Sequence, residues 1–172
     1  MTAQDPKSLA LAAWDECCRL LPRNLAENLA VPKADPAPFK KSGNDFVRLR
    51  VLPRQKTPQN FWNSSWCFYE IAVGNYGAGL TVGGVAFIQF PNQITCGEGR
   101  YMQPVLAVLE KLRAERAAEF ELCAASPGLS AATGFSRRYF AREFPFFPPA
   151  VAGRDLAWLI QKTQPQFEAL SS

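Results

Sequence analysis

A chain of 172 residues, 48% apolar and 20% charged, with a net charge of +4 and no histidine, has the make-up of one globular domain with room for a hydrophobic core. The missing histidine excludes Ser-His and Cys-His nucleophile pairs, imidazole general bases and mixed Cys/His zinc sites, so catalysis would have to run on carboxylates, Lys, Tyr or Cys alone. No apolar run reaches the roughly 18 residues of a membrane span, and the N-terminal "MTAQDPKSLALAAWDECC" lacks the basic start of a secretory signal.

In chain order, Asp5-Pro6 is a helix start, an N-cap followed by proline at the first helical position. Trp14, Cys17, Cys18, Leu21 and Leu25 then trace one apolar helical face, and Pro22 should end or kink the helix near Leu21. A helical N-terminal segment is therefore expected over 6–30. The stretch "VPKADPAPFKKSG" (31–43) holds three prolines and reads as an irregular linker. From Asn44 the period changes to two: Val47, Leu49 and Val51 alternate with Arg48 and Arg50, a strand with one wet face. Cys67, Tyr69, Ile71 and Val73 mark one face of a second strand, and Leu80 to Phe90 is a third.

Between the last two lies "GNYGAG", whose glycines Gly74, Gly77 and Gly79 spell G-x-x-G-x-G. A phosphate-binding loop has to open a helix, whose first N–H groups meet the anion. Here "LTVGGVAFIQF" follows, which is strand-like, so the glycines serve a hairpin turn, and Gly83-Gly84 suggests a bulge. Next, Met102, Val105, Leu106, Leu109, Leu112, Arg116 and Phe120 form one stripe of a long helix, with Glu110, Lys111, Arg113, Glu115 and Glu119 off it. "FSRRYFAREF" is a fourth strand candidate, and Asp155 opens a last helix with Leu156, Leu159, Ile160 and Thr163 inward, continuing past Pro165. The expectation is a single α+β domain over 1–172. Its core, residues 44–170, has an antiparallel sheet of three to four strands packed with the N-terminal, central and C-terminal helices.

Candidate sites are few. Lys33, Lys40, Lys41, Arg48, Arg50, Arg54 and Lys56 face only Asp35 and Asp45, a net +5 between residues 33 and 56. Such a patch attracts phosphate or an acidic partner. The binding candidates are Lys40, Lys41, Arg48, Arg50, Arg54 and Lys56, with an aromatic rim of Trp62, Trp66 and Phe68 able to stack on bases or to fill the sheet's core. The bland reading is a solvated strand face that discourages edge pairing. Arg137, Arg138 and Arg142 form a second basic group, split between the two faces of a strand. Asp45 and Glu70 lie on neighbouring strands, but Glu70 is followed by Ile71-Ala72, so the lysine of a nuclease-type metal site is missing. Glu119 and Glu121 read as solvated. Five cysteines without C-x-x-C spacing read as reduced thiols of a cytoplasmic protein. No catalytic residue, metal or cofactor is expected.

"TPQNFWNSSWCFYEIAVGNYGAGLTVGG", the helix "MQPVLAVLEKLRAERAAEFEL" and "DLAWLIQKTQPQFEAL", with Trp158 and Phe167, together resemble a small bacterial accessory domain of uncharacterised function found C-terminal to restriction-endonuclease-like modules. The resemblance covers roughly residues 57–170, rests on no single diagnostic motif, and comes without a nuclease module. It implies a non-catalytic role in defence or in a mobile element. The expected function is non-enzymatic binding of a macromolecule, foremost a protein, in a bacterial defence, counter-defence or immunity setting. Two alternatives stay open: a nucleic-acid-binding accessory protein using residues 40–70, and an enzyme working through carboxylates alone. Composition and spacing leave oligomeric state open, and no membrane partner is expected.

Overall fold

Proline at the first helical position and proline two residues past the last one bound helix α1, Pro6–Leu20. The computed structural model describes residues 5–29, 34–39, 44–51, 69–76, 79–81, 84–89, 99–123, 134–139, 144 and 148–170. Asp5 takes the extended N-cap conformation without a side-chain cap bond, and Leu9, Ala10, Ala13, Trp14 and Cys17 form the buried stripe of α1. Leu21 turns the chain, and a separate short helix, α2, runs over Arg23–Glu27. The 6–30 segment is thus two helices rather than one, broken where Pro22 removes a backbone donor.

The expected linker contains a strand. Ala34–Phe39 is β1, paired antiparallel with β2, Asn44–Val51. β1 lies at one end of the sheet, the place where prolines are tolerated. Pro36 and Pro38 are two residues apart, so their missing N–H groups fall on the same side of the strand. Pairing with β2 is kept when that side is the open edge, and the prolines then also discourage pairing with another chain.

The remaining strands are β3 (Tyr69–Tyr76), β4 (Gly79–Thr81), β5 (Gly84–Gln89), β6 (Phe120–Cys123) and β7 (Gly134–Arg138). Their order is β1-β2-β3-β5-β7-β6, with β4 also on β3, and every pairing is antiparallel. Helices and an antiparallel sheet make the chain α+β, but among the described residues the sheet has seven strands where three to four were expected. Tyr76 pairs with Gly79 across residues 77–78, so the glycine stretch joins two strands. The register shifts between Gly84 and Ala86, beside the Gly83-Gly84 pair where a bulge was expected.

Helix α3, Gly99–Glu115, buries Leu109 and Leu112 and exposes Glu110, Lys111 and Arg113. It ends earlier than its apolar stripe. Residues 116–119 form a turn in which the Phe120 N–H donates to the Arg116 carbonyl at 2.9 Å, and Phe120 belongs to β6. The terminal helix α4, Pro149–Leu170, begins six residues before Asp155, with the Ala152 N–H bonded to the Pro148 carbonyl at 2.9 Å. Asp155 is therefore a buried helix-interior residue and not its opener. Pro165 is carried inside the helix.

The core lies where α1 and α4 cover one face of the sheet: Trp14, Cys17, Leu156, Leu159 and Ile160 are buried in one cluster with Leu49, Val51, Tyr69, Ile71, Val73 and Phe135. The Thr163 hydroxyl donates to the Leu159 carbonyl at 2.6 Å, so the buried Tyr69 hydroxyl, 2.8 Å from Thr163 Oγ1, acts as donor to it. Gly153 sets how closely the two helices approach. A Cβ there would stand 2.5 Å from the Ala13 carbonyl oxygen and 2.7 Å from the Glu16 Cβ. Gly153→Ala should destabilise by about 1–3 kcal/mol, even though alanine is favoured over glycine in a helix by about 1 kcal/mol. A urea melt of the variant checks this, and a gain in stability would show that the helices part freely. Among the described residues, no helix is long and apolar enough to cross a membrane.

Candidate functional site

Where α3 gives way to β6, at the end of β7 and on the second turn of α4, four charged side chains converge. Arg116 Nη2 donates to Asp155 Oδ1 at 2.9 Å, and its Nε and Nη2 grip the Glu119 carboxylate side-on, Nε to Oε1 at 3.1 Å. Arg137 Nη1 donates to Asp155 Oδ2 at 2.5 Å and reaches Glu119 Oε2 at 3.2 Å. The Tyr139 hydroxyl donates to Asp155 Oδ2. Two cations meet two anions, so the cluster is neutral within itself.

Aromatic rings frame the guanidiniums. Arg116 Cζ lies 4.7 Å from the Trp158 ring centre and 4.9 Å from that of Phe120. Arg137 Cζ lies 4.9 Å from Tyr139 and 5.9 Å from Phe144. Phe120 stacks on Phe135 at 4.8 Å, and Trp158 tilts against both. The rings add cation–π attraction and keep water from the inner side of the cluster. Local sequence explains the placement. Trp158 follows Asp155 by one helical turn, so both meet Arg116, and the ladder sets Phe120 opposite Arg137.

The two carboxylates differ in setting. The Asp155 side chain is 3% exposed, that of Glu119 37%, and those of Arg116 and Arg137 21% and 12%. The Arg116 guanidinium, more than burial, governs Glu119 and holds its carboxyl below the usual range. Glu119 in turn raises Arg116 above its already basic range. Burial, followed by the neighbouring Asp155 charge, pushes Tyr139 well up, so it stays a neutral donor. Because the folded Glu119 is the stronger acid, its contribution to stability is complete above the ordinary glutamate pKa and is lost as pH falls through the lower folded value. Wild type should therefore lose more stability than Glu119→Gln between about pH 5 and pH 3. Denaturant midpoints across that window test this; parallel curves would show that the pair is too well solvated to matter.

The chemistry available here is ionic recognition. Asp155 accepts one hydrogen bond at Oδ1 and two at Oδ2, and Tyr139 is held as a donor. Two fixed guanidiniums side by side are suited to holding a carboxylate.

Lys40, Lys41, Arg54, Lys56, Trp62, Trp66 and Phe68 lie outside the described residues, as does Arg142. Arg48 and Arg50 are in β2, where the register sets Asp35 and Ala72 across from Arg48 and Glu70 across from Arg50. That face is not bare throughout, since Glu70 is only 2% exposed. By strand alternation, positions 45 and 70 belong to opposite faces of the sheet. Glu119 is in the turn and not on a helix face, while Glu121 is exposed on β6. Cys17 and Cys18 are free thiols, both pushed up by burial. Among the described residues, no group of three or more His, Cys, Asp or Glu side chains is placed to hold a metal. Sequence reasoning missed Arg116, Arg137, Tyr139 and Asp155 as a unit. One signal was present: Arg116 continues the apolar stripe of α3 in the sequence, where a cation needs a buried partner. Comparison with protein-family models, curated proteins and solved structures finds no match to this chain.

Proposed function

We propose that this chain is a non-enzymatic macromolecule-binding protein whose partner is another protein, engaged through the β1–β2 end of the sheet. The observation that carries the reading is the β2 register: Arg48 has Asp35 across the ladder and Arg50 has Glu70. Binding along a nucleic-acid backbone draws on cations free to replace condensed counterions. A strand whose arginines stand across the ladder from acidic residues belongs to a region of mixed charge, which suits recognition of a protein. The burial of Asp155 between two arginines argues against the carboxylate enzyme. A bacterial defence, counter-defence or immunity setting, and a cytoplasmic location, belong to the proposal on the sequence alone.

The test is affinity capture from the host, with a DNA and RNA shift assay, at two salt concentrations. Reversing Arg48 and Arg50 together to glutamate should weaken capture of the partner protein, and neither version should shift nucleic acid. Arg48→Glu alone is the folding control, since Arg50 lies across from the buried Glu70. Undiminished capture removes β2 from the interface. Steeply salt-dependent nucleic-acid binding that the double variant loses would establish the nucleic-acid reading instead.

A further inference from the structure

The geometry points to a second binding site: Arg116 and Arg137 form a preformed carboxylate clamp whose resident occupant is Glu119, displaced when an acidic segment of a partner protein presents a carboxylate of its own. This rests on the protein-partner reading only for the source of the carboxylate. The site itself is at the opposite end of the sheet order from β2.

The clamp does not depend on its occupant. Without Glu119, Arg116 still bonds Asp155 and lies against Trp158 and Phe120, while Arg137 still bonds Asp155 and lies against Tyr139 and Phe144. Both guanidiniums are thus held from the buried side, and Glu119 meets them from the exposed side. Glu119 sits in the 116–119 turn, so rotating its side chain outward moves neither α3 nor β6. Removing it leaves two cations against the single charge of Asp155, and one incoming carboxylate restores neutrality. A phosphate dianion would overshoot that balance. The side-on grip of Arg116 on Glu119, Nε to one oxygen and Nη2 to the other, is the planar fork that a carboxylate fills. A tethered occupant competes at high effective concentration, so the site in the wild type opens only to a partner that brings further contacts.

The experiment is an NMR titration of the arginine Nε–Hε signals in wild type and Glu119→Gln. The probes are acetate, a capped tetraglutamate peptide and inorganic phosphate, each against chloride at matched ionic strength. Acetate and the peptide should shift the Arg116 and Arg137 signals saturably in Glu119→Gln, with the peptide binding roughly tenfold or more tightly than to wild type. Glu119→Ala, which removes the polar occupant altogether, should follow the same order. The clamp is overturned by the absence of saturable shifts in both variants, or by equal affinity in wild type and variants. Phosphate binding without carboxylate binding overturns the assigned ligand class. The titration needs neither a native partner nor any β2 residue, so its failure is distinct from a failure of the capture experiment.

Discussion

Asp155→Ala should cost about 3–5 kcal/mol, the range for breaking a buried ion pair by removing one partner. Asp155 accepts from Arg116, in the turn after α3, and from Arg137 and Tyr139, both at the end of β7. Alanine would leave two guanidiniums packed among Trp158, Phe120, Tyr139 and Phe144 with only the exposed Glu119 to balance them. It would also remove the carboxylate oxygen to which the buried Tyr139 hydroxyl donates. Domains of this size are stable by about 5–15 kcal/mol, so the variant should approach the limit of folding at growth temperature. Asp155→Asn keeps the shape and one acceptor oxygen and should fall between the two. Urea unfolding of both variants decides the matter. A loss below about 1 kcal/mol for alanine would show that water replaces the carboxylate readily.

Leu109→Ala carries the second large effect. Leu109 is fully buried in the main core cluster, two residues before the exposed Lys111. Deleting a buried leucine costs roughly 2–5 kcal/mol, depending on how far the cavity collapses, while Lys111→Ala should stay within about 0.5 kcal/mol of wild type. Thermal and denaturant melts of the pair read the phase of α3 directly. Equal effects at both positions would mean that the helix presents a different face.

Local pattern made a definite share of this protein legible. The break at Pro22, the alternation of Leu49 and Val51 and of Tyr69, Ile71 and Val73, the strand–turn–strand reading of the glycine stretch and the phase of α3 at Leu109 and Leu112 all came from neighbours along the chain. Each rests on backbone geometry that a few residues settle among themselves: a missing donor, a period of two, a period of 3.6.

Readings failed where the deciding partner was distant. Pro36 and Pro38 look like linker residues until the strand beside them is known, because only an edge position removes the penalty of a missing N–H. Phe120 continues the α3 stripe in sequence, yet its pairing with Arg137 draws it into a strand. Gly153 precedes the helix start expected at Asp155, yet it lies inside α4, where the close approach of α1 leaves no room for a larger side chain.

Composition and local periodicity by themselves determined the broad class, the absence of imidazole chemistry, and most strand and helix positions. Only the tertiary structure decided that Asp155 is buried, that Glu119 is its exposed counterpart, and that two arginines join them. Asp155 is 39 residues from Arg116 and 18 from Arg137 along the chain. Charges so far apart acquire a common dielectric and a common geometry only once the sheet and α4 have packed, so no window of sequence contains the cluster.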